Sequence, residues 1–156
     1  MAKPAYLLDT NILSDLIRHP AGRIRDYIAE RGEESVCTSI VVAAELRFGA
    51  AKKGSERLTA QLEAVLAALD ILPFEEPADR HYADIRTALE RAGMPIGAND
   101  LLIAAHALAR DMTLVTDKTD EFRRVPGLTI ENWLRAPDND RSAPPQAPEQ
   151  DLEPDH

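Results

Sequence analysis

The sequence predicts a single α/β domain built on a central parallel sheet, and three features of the chain carry that prediction. Two short apolar runs, Tyr6-Leu7-Leu8 and Met112-Thr113-Leu114-Val115-Thr116, each stop at an aspartate, Asp9 and Asp117. Side chains that stay apolar at consecutive positions suit strands covered on both faces, the condition of strands in parallel sheets. Between such runs lie segments whose apolar residues recur at helical spacing, so strands and helices alternate and right-handed crossovers connect the strands. At 156 residues, 44% of them hydrophobic, the chain is long enough to bury one substantial core.

Each element has a local reason. After Tyr6-Leu7-Leu8, residues Ile12, Leu13, Leu16 and Ile17 share one helical face, and His19-Pro20 ends that helix because proline brings no amide donor. Asp9 or Thr10 stands where a cap for its first turn belongs. A second helix covers Ala21 to Arg31, with Ile24, Tyr27 and Ile28 as its stripe and Gly32 as its stop. Ser35 to Thr38 is a short strand that buries Cys37, and Ser39 caps a helix over Ile40 to Ala51. Ser55 opens a helix striped by Leu58, Leu62, Val65, Leu66 and Leu69. Ile71 to Phe74 reads as an edge strand, since Pro73 is tolerated only there. Pro77 to Ala92 is a further helix with Tyr82, Ile85 and Leu89 inward; core packing is the default for these two helices, an arm or dimer face the alternative. After a loop at Met94 to Ala98, the alanine-rich run from Asn99 to Arg110 is a buried helix in which His106 reads as a packed side chain. The strand Met112 to Thr116 follows, then a loop anchored by Phe122, a last strand at Leu128 to Ile130, and Trp133 with Leu134 closing the fold.

Composition narrows the function. No run of about 18 apolar residues occurs, and Met1 to Lys3 leads into a strand instead of a signal-peptide core, so a soluble cytoplasmic protein without membrane association is expected. The single Cys37 excludes an internal disulfide and a cysteine-based zinc site. The net charge of −9 argues against broad capture of nucleic acid, leaving a local basic patch of Arg47, Lys52, Lys53, Arg123 and Arg124 for that task. Residues 137–156 hold six acids, one base, five prolines and a single large aliphatic residue, Leu152. Such a segment cannot bury enough surface to offset the entropy of ordering, so the division expected is a folded domain over 1–136 and a disordered acidic tail over 137–156.

Acids carry the chemistry. In open α/β sheets ligands bind beyond the carboxyl ends of the strands, where Asp9 and Asp117 stand. Glu45 has Val41, Val42, Phe48 and Gly49 one turn away on either side and no base at that spacing. A carboxylate on an apolar face is seldom buried without a partner or a purpose, which favours a functional, inward-facing Glu45. Asp100 lies at the mouth of the buried helix, where its ordinary role is to complement the macrodipole. Four such carboxylates gathered on one edge would repel one another and call for a cation. Oxygen donors without histidine or cysteine select Mg2+ or Mn2+, the ions that activate water and neutralise charge in phosphodiester hydrolysis.

The segments Leu7-Leu8-Asp9-Thr10-Asn11, Thr38-Ser39-Ile40 with Ala44-Glu45-Leu46-Arg47-Phe48-Gly49-Ala50, Gly97-Ala98-Asn99-Asp100-Leu101-Leu102-Ile103-Ala104-Ala105-His106-Ala107, and Leu114-Val115-Thr116-Asp117 resemble, in this order, the PIN-domain nucleases. More narrowly they are similar to the VapC toxins of bacterial type II toxin–antitoxin pairs. The resemblance spans Tyr6 to Trp133. It implies a three-layer α/β/α fold, a Mg2+- or Mn2+-dependent endoribonuclease acting on single-stranded or looped RNA, a homodimer, and inhibition by a cognate VapB-type antitoxin. Asp9, Glu45 and Asp100 match the family's metal-site acids, with Thr10, Asn11 and Thr116 as polar residues around them. For the fourth acid Asp117, Asp120 and Glu121 compete, Asp117 first and Glu121 second. Two other readings compete. A phosphotransfer domain of receiver or haloacid-dehalogenase type also places Asp and Mg2+ at strand ends, but the latter needs an Asp where this chain has Asn11. A catalytically silent PIN-like module, binding or regulating nucleic acid with a partner protein, would have no need to keep all the acids.

Overall fold

The computed structural model describes residues 4–135; the acidic tail expected over 137–156 lies outside them. Five short strands form one sheet: β1 (Tyr6–Leu8), β2 (Val36–Ser39), β3 (Asp70–Leu72), β4 (Thr113–Val115) and β5 (Ile130–Glu131). They run parallel in the order β3-β2-β1-β4-β5. Around them lie α1 (Thr10–Arg18), α2 (Arg23–Arg31), α3 (Ile40–Lys53), α4 (Glu56–Ala67), α5 (Ala78–Arg91), α6 (Ala98–Ala109) and the single turn α7 (Thr119–Phe122).

The strand order determines where the helices go. From β1 the chain steps outward to β2 and β3, then crosses back over β2 and β1 to enter β4 on the other side of β1, and finally reaches β5. Right-handed crossovers in opposite directions place their helices on opposite faces. Accordingly α1, α2, α3 and α4 pack among themselves, while α5 and α6 form a second, closely packed pair. This is the expected three-layer α/β/α arrangement. It also makes the β1–β4 border the point where the direction of winding reverses, and there the loops leaving the two strands diverge and open a crevice.

Register completes the placement. Leu8 pairs with Val115, so the residues that follow, Asp9 and Thr116, leave the sheet side by side. The Asp9 amide extends the ladder by donating to the Val115 carbonyl at 2.9 Å. Beneath them Leu7, Leu8, Cys37, Leu114 and Val115 are wholly buried. Each fully buried large aliphatic among them contributes roughly 1.5–3 kcal/mol, which holds this register firmly. The Cys37 thiol, pushed up to about 12 by burial and by Asp70, is an inert core group. At the far side Trp133 stacks on Tyr27 with ring centres 4.9 Å apart and packs on Tyr6, and the Arg31 guanidinium lies 5.1 Å from its ring centre.

Several boundaries differ from the pattern reading. β3 ends at Leu72, ahead of Pro73, because proline has no N–H to donate to the ladder. β5 is Ile130–Glu131, since β4 pairs through Leu114 with Ile130 and Val115 with Glu131. α3 runs on to Lys53, two residues beyond the expected end, and stops at Gly54, whose left-handed φ of 67° suits glycine. The short α7 stands where a plain loop was expected. Among the described residues no helix is long and apolar enough to cross a membrane.

Candidate active site

The crevice at the β1–β4 border is organised by Asp9. This residue caps α1, its Oδ1 accepting from the Thr10 amide at 2.7 Å. Its Oδ2 accepts from the Thr116 hydroxyl at 2.7 Å and from Asn11 Nδ2 at 3.2 Å. Asp9 is 2% exposed, and burial raises its pKa above the ordinary 3.8. The Thr116 and Thr10 hydrogen bonds pull the other way, as does Lys118, while the charge of Asp100 adds to the rise. The capping role and the site role therefore fall on one carboxylate.

Asp100 lies in the first turn of α6 and is 7% exposed. Its pKa is also raised, by burial first; Lys118 opposes the shift, and the charges of Glu121 and Glu45 reinforce it. Lys118 Nζ stands 3.2 and 3.4 Å from its two oxygens. Glu45, half-buried on α3, is bound from both sides: the Thr10 hydroxyl donates to Oε1, and Asn99 Nδ2 donates to Oε2 at 2.9 Å. The side chains that satisfy it come from α1 and α6, in keeping with the absence of a base on its own helical face. Thus the charge of Asp100 bears on Asp9 and those of Glu45 and Glu121 bear on Asp100, while Asp9 and Asn11 tie the turn after β1 to the turn after β4 and Thr10 ties it to α3. Asn11 also accepts from the Asp117 amide at 2.8 Å.

Asp117, the first choice for the fourth acid, is turned elsewhere. Its Oδ1 accepts from Asn132 Nδ2 at 2.9 Å and Arg135 Nε at 3.0 Å, tying the loop after β4 to the chain beyond β5. Asp120 pairs with Arg123 on the surface. Glu121 is the acid of this segment whose charge reaches Asp100. Asn99 and Lys118 escaped the sequence reading. Asn99 carries no charge to mark it in the sequence, and Lys118 is hidden there because a lone lysine just past a strand looks like any solvated charge. His106 is packed as expected: buried, with Nδ1 2.7 Å from the Ser39 hydroxyl and its ring edge-on to Phe74. Of the basic patch, Arg47 is paired with both oxygens of Glu63 and Arg123 with Asp120, whereas Arg124 donates to the neutral Pro95 carbonyl and keeps its charge.

Among the described residues no three His, Cys, Asp or Glu side chains stand together as a ready-made metal cage. The donor set nevertheless suits a hard divalent ion. Mg2+ keeps several of its waters and is commonly held by one or two carboxylates. Asp9 and Asp100 supply two buried carboxylates whose charge the fold disfavours, beside an ammonium that already sits where positive charge is wanted.

The model of the PIN domain family matches residues 6–128. Ribonuclease VapC2 of Rickettsia felis is 40% identical over 130 residues, which cover 82% of this chain and 97% of that protein. The tRNA(fMet)-specific endonuclease VapC of Shigella flexneri is 36% identical over 129 residues, covering 82% and 97%. Among solved structures, VapBC2 from Rickettsia felis bound to a DNA fragment from its promoter superposes with a TM-score of 0.77 at 37% identity, covering 83% of this chain and 98% of that one. DNA-bound VapBC from Salmonella typhimurium gives 0.78 at 34% identity, with the same coverage.

Proposed function

The chain belongs to the PIN-domain family and, within it, to the VapC ribonucleases, and we propose that it is a Mg2+- or Mn2+-dependent endoribonuclease that cuts single-stranded or looped RNA as the toxin of a type II toxin–antitoxin pair. The observation that carries the proposal is the meeting of two buried acids, Asp9 and Asp100, at the sheet's switch point. Asp9 and Asp100 would hold the ion. When bound, a divalent ion lowers the pKa of the attacking water and neutralises charge growing on the phosphoryl oxygens. Glu45 and Glu121 add negative charge at the rim, and Glu45, fixed by Thr10 and Asn99, is an acceptor for the proton that the water gives up. Thr116 and Asn11 hold the Asp9 carboxylate in a single orientation. RNA loops suit such a site because their unpaired nucleotides can be splayed out and reached from one side.

Partners follow from the same reading. The relatives crystallised as VapBC complexes support a VapB-type antitoxin for this chain. Exposed Ile40, Phe48 and Met94 are apolar area that an antitoxin or a second copy in a homodimer would cover, Phe48 at 68% exposure most of all. The decisive experiment incubates purified protein with structured and unstructured RNA, with Mn2+ or with EDTA. Cleavage should require the ion and vanish in Asp9→Asn and Asp100→Asn variants whose circular dichroism matches the wild type. Full cleavage by either folded variant would sink the assignment, and absence of cleavage by the wild type would favour the silent binding module.

A further inference from the structure

We propose that Lys118 is a built-in counter-cation, seated on Asp100 in place of a divalent ion, which must swing away before the ion binds and so sets the metal concentration at which the site loads. The inference rests on the reading of Asp9 and Asp100 as a metal site and adds to it a gate carried by this chain itself.

The geometry separates a fixed partner from a movable one. The Asp100 carboxylate is buried at the start of α6, whereas the Lys118 side chain is 50% exposed and leads out of the crevice. Its Nζ faces both Asp100 oxygens, at 3.2 and 3.4 Å, which are the atoms a cation would take. The base of the lysine is anchored instead: its amide donates to the Thr116 hydroxyl at 3.0 Å, and that hydroxyl donates to Asp9. One residue therefore reaches Asp100 with its side chain and Asp9 through Thr116 with its backbone. Asp100 is the carboxylate the ammonium touches. An ion arriving at the crevice meets a cation already in place and has to displace it, while a long flexible stem with its head half in water makes displacement inexpensive.

Two opposite effects of one substitution test this in the full-length protein. In Lys118→Met the acids lose their counter-charge, so at pH 7.5 in EDTA the thermal midpoint should fall below that of the wild type. The same variant should bind Mn2+ up to about fivefold more tightly at low ionic strength, followed by the loss of the free-ion signal in electron paramagnetic resonance, a factor at the upper end for a half-exposed ion pair. The gain should shrink as salt screens the ammonium, and Lys118→Arg, which keeps the charge, should bind Mn2+ much as the wild type does. A side chain that only supports the fold would lower the midpoint without tightening Mn2+. If the wild type binds Mn2+, Asp100→Asn does not, and Lys118→Met binds it no more tightly than the wild type, the counter-cation inference is overturned while the metal site stands. If neither the wild type nor Lys118→Met takes up millimolar Mn2+, the metal-site reading falls and the inference with it.

Discussion

Replacing Thr116 with valine deletes one hydroxyl and keeps the shape of the side chain, so the loss can be worked out from the contacts. Thr116 is wholly buried; its hydroxyl donates to Asp9 Oδ2 at 2.7 Å and accepts the Lys118 amide at 3.0 Å. A hydrogen bond to a charged group is worth ~1.5–3 kcal/mol, and water cannot replace it at a carboxylate this deeply buried. The Lys118 amide lies nearer solvent and adds about 1 kcal/mol. The variant should therefore be less stable by ~2–4 kcal/mol, which for a chain of this size lowers the midpoint by roughly 5–15 °C.

The pH dependence has a definite sign. Burial has already raised the Asp9 pKa above 3.8, and the Thr116 hydrogen bond is the largest influence pulling it back. Without that bond the folded-state value climbs further. A carboxylate with a raised folded pKa gives a stability contribution that is complete below its unfolded value and is lost as pH rises through the folded one. The Thr116→Val deficit should thus be smallest in acid and grow toward neutrality. Melts followed by circular dichroism in EDTA, at pH values from below 4 to 7.5, provide the comparison, with Thr116→Ser as the variant that keeps the hydroxyl. A Thr116→Val midpoint within about 2 °C of wild type at pH 7.5, or a deficit as large in acid as at neutrality, would refute the reasoning.

Two further outcomes separate residues that look alike in the sequence. Glu121→Gln should lower the RNA cleavage rate by at least about tenfold, the effect of ~1.4 kcal/mol on a barrier, because its charge reaches Asp100. Asp117→Asn, whose carboxylate serves Asn132 and Arg135, should keep cleavage within a few-fold and show its effect as a lower melting midpoint; the reverse ranking would restore Asp117 as the fourth acid. Removing residues 137–156 takes away six acids and one base, so RNA binding should strengthen most at low salt, and a gain that persists unchanged in high salt would show that charge is not its cause.

Much of this was legible in the chain because each strand of the sheet's centre is a continuous apolar run with an abrupt polar end. Leu7-Leu8-Asp9 and Leu114-Val115-Thr116 announce both the burial and the edge where it stops. Strand order was not legible: the apolar runs say that each strand is covered, and nothing in them says that β4 lies against β1 and not beyond β3. The fate of Asp117 was hidden for a related reason. Its side chain is taken by Asn132 and Arg135, 15 and 18 residues further on, and a contact at that separation leaves no periodic trace. Glu45 reads in the sequence as a carboxylate without a local base, but Thr10 and Asn99, the side chains that satisfy it, come from two other helices.

The wiring of the crevice also explains why its precision depends on the sheet below it. Asp9, Thr10 and Asn11 are consecutive, yet they engage three different elements: Thr116 after β4, Glu45 on α3, and the Asp117 amide on the loop toward α7. Those contacts are simultaneous only because Leu8 sits opposite Val115. A slip of one residue would turn every side chain of the strand to the other face and carry Asp9 away from Thr116. The wholly buried Leu7, Leu8, Leu114 and Val115 therefore act on the chemistry without touching it. Their packing fixes the register, the register sets Asp9 beside Thr116, and the hydrogen bond between those two holds the carboxylate's charge aimed at the place where Asp100 and Lys118 meet.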